Sequence, residues 1–169
     1  MKGRNGHHKR TDPVLKLLAE LSQNQESMRE AAGQIGLLIE KSAEGRPESD
    51  YREILRPDLA RIALDDGEVE FLSAILMLYF NRTDDPVFLW ALGKAPSKIG
   101  LPLFRRHVLP RLKNFNRSQA RQALVALENF VLDSTTASER HAIHDLLPSM
   151  VPRWTPTRKI ARRILQAVE

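Results

Sequence analysis

The chain contains no cysteine. That removes disulfides, thiolate zinc sites and thiol nucleophiles together, and it fits a reducing compartment. The longest apolar run, residues 71–80, is about half the roughly 20 residues that span a bilayer. The basic N-terminus, MKGRNGHHKR, leads into no apolar stretch of the kind a secretory signal needs. No glycine-rich phosphate loop, G-x-S-x-G elbow or H-E-x-x-H pattern occurs. No segment alternates apolar and polar residues between turns as strands do. These absences lead to the expectation of a cytoplasmic, all-α, non-enzymatic protein with no cofactor and no membrane association.

The most informative scarcity is of acid. Residues 86–127 hold eight lysines and arginines and not one Asp or Glu, whereas residues 11–85 carry 16 acids against eight bases. The net charge of +5 averages over this division. An acid-free stretch of such length implies a partner that is itself negative.

Caps, prolines and apolar spacing divide the 169 residues into about eight helices joined by short loops. Residues 1–11 read as a disordered basic tail, and residues 12–169 as a single helical domain. Within it, 12–42 form an N-terminal helix or cap opened by Asp12-Pro13, and 50–169 form helix pairs. Val14, Leu18, Leu21, Gln25, Met28, Ala32, Ile35 and Ile39 step by threes and fours and define one seam. This segment is either one helix or two broken near 23–25, and the seam offers a coiled-coil route to a homodimer. A helix is expected from Asp50, kinked at Pro57. The next, 68–81, is apolar nearly all round, which assigns it to the middle of the core. Thr83-Asp84-Asp85-Pro86 opens a helix that Gly93 closes. Others start at Pro96-Ser97, at Asn116 or Ser118, near Ser138 and at Thr155-Pro156.

Two segments echo each other. LPRLKNFNRSQARQALVALE (109–128) and VPRWTPTRKIARRILQAVE (151–169) align Pro110 with Pro152, Arg111 with Arg153, Arg117 with Arg158, Arg121 with Arg162 and Leu124 with Leu165. A period of 41 to 42 residues with paired helices and interrupting prolines resembles HEAT-like repeats. The resemblance covers about residues 84–169. It implies a short α-solenoid that binds proteins, or in some members DNA, and it carries no catalytic residues.

The repeating arginines have no evident packing role, so the candidate partner-binding surface is the basic ridge Lys94, Lys98, Arg105, Arg106, Arg111, Lys113, Arg117, Arg121, Arg153, Arg158 and Arg162. Trp154, beside Arg153 at a turn, joins it as an interfacial anchor. The expected occupant is an acidic protein. The alternative is nucleic acid, contacted through backbone charge with help from the basic tail. Exposed apolar residues of the last helix offer a second route to a homodimer. No metal is expected: His141 and His144 are three apart, but Asp145 is read as lying round the helix from His141, which leaves the ligand set incomplete. His107, beside Arg105 and Arg106, reads as an anion contact rather than a base.

Overall fold

The computed structural model describes residues 8–133, 136–150 and 155–168, and every regular element among them is helical. In chain order these are α1 (His8–Glu20), α2 (Gln25–Glu44), α3 (Pro57–Ala60), α4 (Asp66–Thr83), α5 (Val87–Leu92), α6 (Ser97–His107), α7 (Arg117–Asp133), α8 (Ala137–Met150) and α9 (Thr155–Val168), with 3-10 turns at Glu48–Tyr51 and Leu109–Asn114. Among the described residues no helix is long and apolar enough to cross a membrane.

Side-chain oxygens fix several helix starts. Asn24 accepts from the Ser27 amide at 3.0 Å, which breaks the N-terminal segment into α1 and α2. Gly45, at φ 60°, ends α2 in the left-handed conformation that glycine adopts without steric cost. Asp65 and Glu68 bond each other's backbone amides at 2.8 Å, a reciprocal cap that starts α4. Asn116 and Gln119 do the same for α7 at 2.9 Å.

Three expectations are corrected. The helix does not wait for Asp12: α1 begins at His8, and Pro13 lies inside it. Residues 50–56 do not form a long helix, because the chain turns through Glu48–Tyr51 and re-enters a helix only for the four residues of α3. Finally, α4 is not enclosed. Val69, Leu72, Leu76, Met77 and Phe80 are buried, but Phe71 and Leu78 are about half exposed.

The buried apolar residues form one cluster running from Leu17 to Ile164. The seam on α2 is used up within it: Met28, Ala32, Ile35 and Ile39 are all buried. Those four residues face α1, α4 and α5 within the same chain.

Polar ties give the helix directions. Arg29 meets Asp85 at 2.6 Å and Glu40 meets Lys94 at 3.2 Å, so α2 and α5 run the same way. The Gln119 amide donates to the Asp84 carbonyl (2.8 Å) and the Asn129 amide to that of Gly93 (3.2 Å), so α5 and α7 are also parallel. Asp66–Lys98 (2.9 Å) and Asn81–His107 (2.9 Å) align α4 with α6 in the same sense. Between these two sets the sense reverses. The Ser42 hydroxyl accepts from the Leu64 amide and Ser22 shares a hydrogen bond with Tyr79, which sets α2 antiparallel to α4. The Ser97 amide donates to Asp133, which sets α6 antiparallel to α7. Close approach along α2–α5–α7 rests on small residues: a Cβ on Gly93 would lie 2.9 Å from Ala126 Cα, and one on Gly36 would lie 3.0 Å from Ala91 Cα.

Candidate partner-binding surface

The basic residues of the acid-free stretch divide into two groups. Three are engaged by carboxylates of the acidic first half. Lys94 pairs with Glu40 and lies over the Trp90 ring, 5.1 Å from its centroid. Lys98 pairs with Asp66. Arg111 forms an ion pair with Asp84, donates to Asn81 Oδ1 at 3.3 Å and sits 4.8 Å from the Phe80 centroid. Three of the eight bases are thus matched internally, by Glu40 of α2, Asp66 of α4 and Asp84 just after α4. Sequence reading could not show it because the partners are 27 to 54 residues apart.

The second group has no such match. Arg105, Arg106, Lys113, Arg117 and Arg121 are all exposed. None makes an ion pair with a described residue. Because α6 and α7 are antiparallel and consecutive, the end of α6 (Arg105, Arg106), the following turn (Lys113) and the start of α7 (Arg117, Arg121) lie at one end of the helix pair. Two physical arguments separate them. Arginines in the last turn of α6 complement the negative end of its dipole, so fold stability accounts for Arg105 and Arg106 in part. Arg121 lies past the first turn of α7, beyond the dipole's reach, but Arg117 opens the helix, where the dipole is positive and no acid lies in the first turn. There a cation is mildly unfavourable to the helix, and fold stability gives no reason for it.

Farther along, Arg162 is exposed on α9. Lys159, which sequence reading left out, is exposed three residues before it and shares its face. Arg163, also missed, is bound by Glu128 through two hydrogen bonds of 2.6 and 3.0 Å. This pair joins α7 and α9 at an offset of 35 residues, six short of the sequence echo. Arg153 and Trp154 lie outside the described residues, as does the side chain of Arg158.

His107 has a structural role. Its Nδ1 lies 2.9 Å from the Asn81 side-chain amide, which donates to it. Burial first, and the neighbouring Arg106 second, hold its imidazole below the ordinary histidine range. The unfolded chain then binds a proton more readily than the folded one. Stability from this site is fully present above about pH 6.5 and is lost as pH falls below that. His107→Gln should flatten that part of the stability–pH curve in urea unfolding at pH 5 to 7.5.

His141 and Asp145 are four apart and share a face, at 3.8 Å, which corrects the reading that Asp145 lies round the helix. The two histidine rings stack at 6.3 Å. Among the described residues no group of three or more His, Asp or Glu is placed to hold a metal ion. A cavity of about 410 Å³ is lined by Glu40, Lys94, Asp66, Lys98 and Asp133 among others, whose charges already satisfy one another or the Ser97 amide.

No protein-family model, curated protein or solved structure matches this chain.

Proposed function

We propose that the chain is a non-enzymatic binding module, a short HEAT-like stack of helix pairs whose residual basic face docks an acidic protein partner. The parallel sense of α2, α5 and α7, and of α4 and α6, supports the stacked arrangement, because successive repeats of a solenoid place equivalent helices side by side in the same direction. One observation carries the binding reading. After Lys94, Lys98 and Arg111 are matched internally, five cations remain unmatched by any described acid at one end of the α6–α7 pair, and one of them, Arg117, sits at a helix end that disfavours cations.

The surface is an array of exposed charges, of which Arg106 lines an open groove of about 570 Å³. It suits a macromolecule more than a small substrate.

The test uses two probes, a polyglutamate peptide and a random duplex DNA, titrated against salt. The peptide should bind more tightly and lose affinity as salt rises. Replacing Arg105, Arg106, Arg117 and Arg121 by alanine should weaken peptide binding by roughly tenfold or more. Lys94→Ala and Lys98→Ala, whose charges are internally paired, should change it far less. Equal losses from both sets would remove the basis for this face. Tighter duplex binding with a steep salt slope would move the reading to nucleic acid.

A further inference from the structure

The outer face of α4 carries an apolar stripe that nothing among the described residues covers. Phe71 is 56% exposed and Leu78 49%, and Ala74 and Ile75 between them are partly exposed. Positions 71, 74, 75 and 78 follow the i, i+3, i+4, i+7 spacing of one helix face. Leu15 of α1, 58% exposed, extends the stripe across a groove of about 140 Å³ lined also by Val14, Ile62 and Leu72. Single exposed apolar side chains are ordinary, but a continuous row on a helix otherwise packed into the core marks an interaction surface.

We infer that this face of α4 is a two-fold interface with a second copy of the chain. The argument for self-pairing is the placement of α4's own charges. Glu70, near its N-terminus, and Arg82, near its C-terminus, are exposed and make no ion pair with a described residue. Arg82 lies on the same face as the stripe, with its guanidinium over the Tyr79 ring at 5.7 Å.

In an antiparallel pair with its axis between Ala74 and Ile75, Phe71 faces the partner subunit's Leu78, and Leu78 faces the partner subunit's Phe71. Arg82 then comes over the partner subunit's Gly67, where the absent side chain leaves room for the guanidinium beside the partner subunit's Glu70. The two α4 dipoles oppose, which is also favourable. A parallel pair would instead set Arg82 against the partner subunit's Arg82. The stripe is complementary to itself only in the isologous, antiparallel sense, which is the commonest oligomeric symmetry.

The stripe adjoins the basic face, since Arg106 lines one groove of about 570 Å³ with Glu70 and Ala74, so the interface is tested by self-association alone, without the acidic peptide. Sedimentation of the wild-type chain over about 1–100 μM should show a monomer–dimer equilibrium. Leu78→Glu should give a monomer throughout that range with unchanged helix content by circular dichroism. Arg82→Glu and Glu70→Arg should each weaken the dimer about fivefold, since each removes the ion pair twice in a two-fold assembly, and the double variant should recover it.

The absence of cysteine allows a geometric check. Ala74→Cys should cross-link to a covalent dimer on oxidation. Arg82→Cys should not, because its two copies would lie roughly 22 Å apart along the helix axis, far beyond disulfide reach. A wild-type chain that stays monomeric, or a dimer that cross-links through both cysteines or through neither, would overturn the assignment.

Discussion

Phe130→Ala is expected to lower the stability of the fold by about 3–5 kcal/mol. The ring is fully buried and meets Phe104 edge to face at 6.1 Å. It also fills the space left by Gly100, where a Cβ would overlap the ring. One side chain of α7 thus fills the space over Gly100 where α6 and α7 meet, and deleting it leaves a cavity there. A loss of that size consumes much of the 5–15 kcal/mol that a domain normally has, so urea unfolding is best measured at low temperature.

A second substitution tests the cause. Gly100→Ala in the wild-type background should destabilise by about 1–3 kcal/mol through overpacking, even though alanine is the better helix former. In the Phe130→Ala background the same change should become neutral or stabilising. If the two effects simply add, the glycine and the ring are not coupled in the way their contact requires.

Asp85→Ala should cost about 2–4 kcal/mol, measured by the same unfolding experiment. The carboxylate is nearly inaccessible, and its two oxygens perform different tasks. Oδ2 accepts from Arg29 Nε at 2.6 Å, tying α2 to the start of α5, while Oδ1 accepts from the Val87 amide at 3.0 Å. Loss of the amide acceptor accounts for about 1 kcal/mol. The charge-assisted bond to Arg29 accounts for about 1.5–3 kcal/mol, discounted because Arg29 is half exposed and regains water when released. Asp85→Asn should fall between the two, retaining an acceptor for Val87 but losing the ion pair. If the asparagine and alanine variants prove equally unstable, the amide cap contributes nothing and Arg29 carries the whole effect.

How legible these features are in the sequence depends on how local they are. The start of α5 was readable from Thr83-Asp84-Asp85-Pro86 and its end from Gly93, because caps and prolines act over three or four residues. The N-terminal segment reads equally as one helix or as two broken near 23–25, and only the Asn24 cap decides for the break. The 3-10 turn at 48–51 was missed because polar, proline-flanked residues fit several conformations with similar propensity. The α4 error has a different origin. Apolar residues all round a helix imply burial only if every face has a neighbour, and neighbours are set by tertiary packing. The basic surface was legible as composition, yet pairings such as Lys94–Glu40 and Arg111–Asp84 subtract from it in ways that only the assembled fold reveals. Arg105, Arg106, Lys113, Arg117, Arg121 and Arg162 are what remain of that reading among the described residues.

The short helix α5 has only six residues, too few to persist alone in water. The carbonyls just before and just after it, on Asp84 and Gly93, are each held by a side-chain amide of α7, from Gln119 and Asn129. α2, made earlier, also holds both ends of this helix through Arg29–Asp85 and Glu40–Lys94, so α5 has a seat on α2 and α4 before α7 exists. The α7 amides add the second pair of holds, from residues more than thirty positions downstream. During synthesis it is the side of α5 that faces α7 that stays open to premature association until α7 emerges.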